Sequence, residues 1–101
     1  EFDLAEFGSI GLEATLGIML QHFSVEKTVE MLTAAKKRFS LPVSPIAVGQ
    51  KADLTLFTDK GERVLTKDLI QSSSKNCAFV GENCKGKVLG VISQRGQWFS
   101  R

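Results

Sequence analysis

A single histidine, His22, limits the chemistry that this sequence of 101 residues could perform alone. A hydrolytic metal site needs several His, Asp, Glu or Cys ligands that converge on open coordination positions. Because no other His or Cys lies near His22 in the sequence, we interpret it as a structural residue rather than a metal ligand. Catalysis by a Ser-His-Asp or Cys-His arrangement would require His22 to meet Ser or Cys side chains far along the chain, and no spacing favours that.

The carboxylates and thiols do not form an evident site either. Asp3, Glu6 and Glu13 precede or begin an apolar helical stretch, where acidic residues usually interact with the helix dipole. Cys77 and Cys84 lack the spacing of a zinc site, and two cysteines in a chain without a secretion signal are typical of free thiols. We therefore assign no catalytic residue and no metal ligand to this chain.

The segment from Phe7 to Glu13 is the best candidate for contact with a ligand. Its two glycines, Gly8 and Gly11, permit close approach of the backbone to another molecule. The free N–H groups at the start of the following helix point towards whatever lies there. The same spacing also fits a flexible start to a helix with no ligand, so the pattern alone leaves both interpretations open.

Composition excludes several classes of protein. An apolar fraction of 43% and a charged fraction of 24% are ordinary for a globular domain. The net charge is only +2 and both signs are mixed along the chain, so we expect neither nucleic acid nor a membrane surface as a partner. Because no apolar run is long enough for a membrane span and no signal sequence opens the chain, we expect a cytoplasmic protein.

The first part of the chain is predicted to be helical. The stretch from Gly11 to Gln21 is apolar on nearly every side, so this helix must be covered on several sides. Ser24 is a suitable N-cap for a second helix. A separate third helical turn is predicted from Thr33 to Phe39, and Pro42 bars its continuation.

After Pro45 the pattern becomes strand-like. A strand from Ala52 to Phe57 should turn at Asp59-Lys60-Gly61 into a short strand around residues 63–65. Further along, Lys87 to Ile92 should form a strand, and Arg95-Gly96 a hairpin turn into the last one. Helices with surplus apolar surface followed by about four strands are typical of the last crossover of a larger α/β body and a sheet that packs elsewhere.

Four segments, taken in order, resemble the C-terminal part of dihydroorotase. The resemblance covers nearly the whole chain, although Ala5-Glu6 and Cys77-Ala78 stand where many relatives have Ala-Pro and Thr-Pro. The first segment resembles the loop after the eighth barrel strand of that family. The second resembles the strand that returns to the small β-sandwich, and the other two are more particular to dihydroorotases. The segments are Glu6-Phe7-Gly8-Ser9-Ile10-Gly11-Leu12-Glu13, Ala52-Asp53-Leu54-Thr55-Leu56-Phe57, Ser74-Lys75-Asn76-Cys77-Ala78-Phe79 and Lys85-Gly86-Lys87-Val88.

The resemblance implies an α/β fold: the C-terminal end of a (β/α)8 TIM-type barrel in residues 1–45, followed by part of a small β-sandwich in residues 46–101. It implies a parent enzyme that interconverts N-carbamoyl-L-aspartate and dihydroorotate in pyrimidine biosynthesis, with zinc as its cofactor. The zinc ligands and the catalytic aspartate belong to motifs absent from this sequence, so we expect this chain alone to be inactive and to bind no zinc. Only Phe7 and Gly8 match family positions that contact the substrate, mainly through the backbone.

The expected partners are the small-molecule substrate, the remainder of the barrel and, in the assembled parent, a second copy of the enzyme as a homodimer. Two alternatives remain. Hydantoinases and allantoinases share the barrel and the sandwich, and a metal-free, dihydroorotase-like partner of a carbamoyltransferase would be structural rather than catalytic. Intact histidine motifs upstream of this sequence would separate the catalytic from the structural class.

Overall fold

The computed structural model describes Asp3 and residues 8–100 of the chain. Within these residues two helices precede a three-stranded antiparallel sheet in the order β1-β2-β3, which gives an α/β architecture. A 3-10 turn, Lys67–Leu69, lies between the first two strands. The elements are α1 (Thr15–His22), α2 (Val25–Arg38), β1 (Leu54–Val64), β2 (Asn83–Ser93) and β3 (Gly96–Phe99).

Helix α1 lies against strand β2, which explains part of its nearly uniform apolar pattern. Leu20 is buried, and the residues between Thr15 and Met19 are half-buried. The approach is closest at Gly17, where an added Cβ would lie 2.7 Å from Cβ of Cys84. The helix begins later than the sequence pattern predicts, because residues 12–14 form turns before Thr15.

Helix α2 begins where its cap was predicted, since the Ser24 side chain accepts a hydrogen bond of 3.2 Å from the Lys27 N–H. The prediction of a separate third helical turn is wrong, because α2 continues without a break through Thr33 to Arg38. Thr33 fits within the helix by donating its hydroxyl to the Val29 carbonyl at 2.7 Å. The helix ends in three basic residues, which complement the negative end of its dipole.

We expect Ser24→Ala to lower the free energy of unfolding by about 1 kcal/mol, because the substitution leaves an N–H of the first turn of α2 without its acceptor. Urea unfolding of the chain, followed by circular dichroism, would measure this change. Ser24→Asp is the matched control, since aspartate keeps a capping oxygen and should restore the wild-type midpoint. An unchanged midpoint in Ser24→Ala would contradict a stabilising role for this cap.

The sheet corrects the prediction of two short strands joined by a turn at residues 59–61. Strand β1 runs without a break from Leu54 to Val64, and its pairing with β2 is irregular between Leu56 and Phe57 and between Thr58 and Glu62. The predicted turn residues are therefore extra residues within one strand, as in a β-bulge. Gly61, with φ of 85°, supplies the left-handed backbone that such an irregularity needs. This merger gives three strands in the described residues rather than about four.

The hairpin at the end of the chain lies one residue earlier than predicted. Ser93 pairs with Gly96, so Gln94 and Arg95 form a two-residue turn and Gly96 begins β3. Strand β2 is also longer than predicted and lies in the middle of the sheet, between β1 and β3.

The buried core joins the helical and the strand-rich parts of the chain. Ala14, just before α1, packs with Leu65, Ile70 and Cys84 in one cluster. This cluster joins residues from before and after the proposed boundary between barrel and sandwich at residues 45 and 46. The division therefore remains a prediction about a longer protein.

The most exposed apolar side chains lie outside α1. Leu12 is 91% exposed, and in the connection between α2 and β1 Ile46 is 87% and Val48 104% exposed. The most exposed apolar side chains therefore lie on the loop before α1 and on this connection, whereas α1 already has a neighbour in β2.

Candidate functional site

The candidate ligand-binding segment lies against a second loop that is distant in sequence. Phe7 falls outside the described residues, whereas Gly8 is described and exposed. We call residues 8–13 the glycine loop and residues 70–78 the anchor loop. Both contain residues that carried the family resemblance, and the fold brings these residues together.

At its first end the glycine loop is held by Asn76 and Ala78. The Asn76 side-chain amide donates to the Gly8 carbonyl at 2.5 Å, and the Asn76 carbonyl accepts from the Ile10 N–H at 2.9 Å. The Ser9 hydroxyl accepts from the Ala78 N–H at 2.7 Å. These hydrogen bonds involve backbone or side-chain atoms of three consecutive residues of the glycine loop, so they fix the position and the orientation of this part of the loop.

At its other end the glycine loop is held by Glu13. One carboxylate oxygen of Glu13 accepts from the Gln71 N–H at 2.8 Å, and the other accepts from the Ser72 N–H at 2.9 Å. Both oxygens thus bind consecutive backbone amides of the anchor loop. Hydrogen bonds to an ionised acceptor are stronger than those between neutral groups, so this contact is the strongest evident link between the two loops.

The surroundings keep Glu13 ionised. The N–H groups of Gln71 and then Ser72 lower the pKa of Glu13, and the nearby charge of Lys75 lowers it further. The charged form is therefore the one that the fold stabilises. The stabilisation is fully present above the ordinary pKa of 4.5 and is lost as the pH falls through the lowered value in the folded state. At neutral pH Glu13 is charged and the contact is intact.

Lys75 reinforces the anchor loop from within. Its ammonium group donates a hydrogen bond to the Ile70 carbonyl, and its charge also acts on Glu13. The anchor loop thus presents two backbone N–H groups and one cation to a single carboxylate.

A cavity of about 690 Å³ opens beside the glycine loop. Its walls are mainly apolar, and charged side chains from both the loop and the sheet lie among its lining residues. Residues that line the cavity include Ile10, Leu12, Glu13, Lys87 and Trp98. A space of this size is within the range of small-molecule pockets, which combine apolar walls with a few polar groups.

Gly8 has open space beside it in the described part of the chain. An added Cβ at this position would meet no described atom within 4 Å. Gly11 differs, because its added Cβ would lie 3.4 Å from the ring of Phe79. Crowding by the described residues therefore does not require glycine at position 8.

The remaining candidates for chemistry lie apart from the glycine loop. His22 is exposed at the end of α1, and the described residues contain no group of three His, Cys, Asp or Glu side chains placed to hold a metal ion. Both thiols are free, as predicted. The Cys84 side chain is buried in the core, and this burial raises the pKa of its thiol. Cys84 is therefore poorly suited to act as a nucleophile.

Sequence reasoning did not identify the roles of Glu13 and Asn76. The sequence predicts that Glu13 interacts with the helix dipole, but its carboxylate binds backbone amides 58 and 59 residues further along. No local pattern shows such a contact, because both amide donors belong to the backbone and carry no side-chain signal. The only available signal was the presence of Glu13 and Asn76 in two of the segments that resemble dihydroorotase.

Comparison with curated proteins finds several dihydroorotases that are similar to this chain. The dihydroorotase of Bacillus subtilis (strain 168) is 32% identical over 100 residues, which cover 92% of this chain and 23% of that protein. The dihydroorotase of Desulforapulum autotrophicum is 34% identical over 94 residues, or 88% of this chain and 22% of that protein. The dihydroorotase of Chlorobaculum tepidum is 30% identical over 96 residues, again 88% of this chain and 22% of that protein.

These relatives confirm the resemblance to dihydroorotase that the four segments indicated. The chain spans about a quarter of the length of the curated relatives that it matches. No family model and no solved structure matches the sequence. Neither helix in the described residues is long and apolar enough to cross a membrane.

Proposed function

We propose that this chain is the C-terminal segment of a dihydroorotase, the cyclic amidohydrolase that interconverts N-carbamoyl-L-aspartate and dihydroorotate in pyrimidine biosynthesis. The observation that carries the proposal is the identity of 30–34% with three dihydroorotases over 88–92% of the chain. The structure adds support, since two of the segments similar to the family form one hydrogen-bonded unit, the glycine loop with its anchor loop.

In this proposal the helices complete the outer layer of a TIM-type barrel and the sheet forms part of a β-sandwich beside it. Active sites of such barrels lie in loops at the carboxyl ends of the strands, and the glycine loop would be one of these. Phe7 and Gly8 would contact the substrate mainly through their backbone. The proposed protein is cytoplasmic and associates as a homodimer.

The proposed zinc cannot be placed on the side chains described here. The described residues contain no group of three suitable ligands, so they do not fit a zinc site by themselves. In the proposal the zinc ligands and the proton-transferring aspartate belong to the preceding part of the parent protein. The role of this chain is then to shape one wall of the site and to hold the loop that contacts substrate.

The decisive experiment uses the full-length protein that contains this segment. We expect it to open the ring of dihydroorotate and to close that of N-carbamoyl-L-aspartate. We also expect a metal chelator to abolish both reactions and zinc to restore them. The absorbance of the dihydroorotate ring would be measured to follow the reaction in either direction. A purified, folded and zinc-loaded protein that converts neither compound would contradict the proposal.

The same preparation tests the alternatives. Faster conversion of hydantoin or allantoin than of dihydroorotate would place the parent among the related amidohydrolases. A lack of turnover with all of these compounds, together with stable association with a carbamoyltransferase, would indicate the structural partner instead.

A further inference from the structure

We propose that Glu13 is a positioning residue, whose carboxylate holds the glycine loop in the conformation that presents Gly8 to the substrate. This inference rests on the proposed function, because it takes Gly8 to lie beside the bound ring. It goes further by assigning a role to a residue outside the metal site and outside the direct substrate contacts.

The geometry of the two loops supports this role. The glycine loop is tied at one end by Asn76, which bonds to Gly8 and Ile10, and at the other end by Glu13, which bonds to Gln71 and Ser72. Two attachments on the same anchor loop restrict both the position and the rotation of the residues between them. Because the Glu13 attachment uses two charge-assisted hydrogen bonds, its loss should release that end of the glycine loop.

Direct action of Glu13 on the substrate is a poorer explanation. A general base must offer an oxygen within hydrogen-bond reach of the proton that it takes, and its pKa should lie near the working pH. Both oxygens of Glu13 already accept backbone N–H groups, and the same two amides lower its pKa. Glu13 is therefore suited to hold a loop and poorly suited to move a proton.

The test is Glu13→Gln in the full-length enzyme, assayed with dihydroorotate across the pH range of activity. Glutamine has nearly the same shape but only one oxygen acceptor, so one of the two amides loses its partner. We expect KM to rise about fivefold while kcat stays within about twofold of the wild-type value, because the loop contributes to binding rather than to the chemical step. The apparent pKa values of the pH profile should not move, since no titrating catalytic group is changed.

The control is Glu30→Gln, which removes the same charge from an exposed position on α2. Glu30 pairs with Lys27 at 2.9 Å on the surface, and such pairs contribute little. We expect its KM and kcat to equal those of the wild type. A matching rise of KM in this control would assign the effect to net charge and overturn the proposal.

Amide hydrogen exchange by mass spectrometry provides a second measurement on the same variants. In Glu13→Gln the peptide that contains Gln71 and Ser72 should exchange faster than in the wild type, whereas in Glu30→Gln it should not change. Faster exchange with an unchanged KM would show that the contact is structural and would overturn the positioning role. A loss of kcat with unchanged KM would overturn it too, since Glu13 would then act in the chemical step.

Glu13→Asp covers the case in which glutamine is not tolerated. Aspartate keeps the charge but is shorter by one methylene group, so its carboxylate cannot reach both amides from the same backbone position. We expect a rise of KM of about threefold with little change in kcat. An unchanged KM would overturn the proposal.

If the wild-type enzyme does not convert dihydroorotate, the proposed function fails and this inference fails with it. An active wild type with unaffected Glu13 variants refutes the inference alone.

Discussion

Gly86→Ala is expected to be among the most destabilising single-methyl changes in this chain, with a loss of about 3 kcal/mol in the free energy of unfolding. Gly86 has φ of 76°, a left-handed conformation that costs an alanine about 1 kcal/mol or more. The added methyl group would also meet the Thr58 backbone carbonyl, and it would lie 3.2 Å from Cα of Asp59 and from Cδ1 of Leu20. Because two of these neighbours are backbone atoms, strand β1 itself would have to shift.

Gly61→Ala is the matched control for this effect. Gly61 has nearly the same backbone conformation, with φ of 85°, but its added Cβ would meet no described atom within 4 Å. Its loss should therefore be limited to the conformational part, about 1 kcal/mol. Urea unfolding of both variants would measure the difference, which reports the cost of pushing β1 away from β2. Equal losses in the two variants would show that the close approach at Gly86 does not exist in solution.

Only some parts of the fold could be predicted from the sequence. Local signals were sufficient for the start of α2 at Ser24 and, within one residue, for the final hairpin. Each of these depends on a few neighbouring residues with characteristic backbone preferences. Local signals failed at Asp59-Lys60-Gly61, because the same letters form a turn when unpaired and a bulge when a partner strand continues beside them.

The candidate site was predicted only in part, for a related reason. The sequence pattern indicates a possible ligand contact at Gly8, because glycine lacks a side chain and permits close approach of the backbone. The pattern could not show that Glu13 bonds to backbone amides 58 and 59 positions further along, or that Gly8 bonds to Asn76, 68 positions further along. Such contacts depend on the tertiary fold, and the backbone N–H groups that receive Glu13 are common to every residue type except proline.

Gly8→Val in the full-length enzyme is expected to lower kcat/KM for dihydroorotate by about tenfold, equivalent to roughly 1.4 kcal/mol of transition-state binding. In the proposed site Gly8 approaches the ring through its backbone, so a branched side chain would occupy space that the substrate needs. The zinc content should stay the same, because no proposed metal ligand is changed. Steady-state kinetics and metal analysis on one preparation would measure both quantities.

The measured stability of Gly8→Val separates a substrate contact at Gly8 from a role of Gly8 in beginning α1. If glycine were needed only to begin α1, valine would be expected to lower stability and leave the kinetic constants of the folded enzyme intact. In the described residues, however, a Cβ at Gly8 meets no atom within 4 Å. Valine should therefore change the melting temperature little, as expected for an uncrowded surface position, while the kinetic loss remains. Gly8→Ala should give a smaller kinetic loss with the same stability. Normal kinetics together with reduced stability would defeat the substrate contact, because that combination assigns Gly8 to the shape of the loop alone.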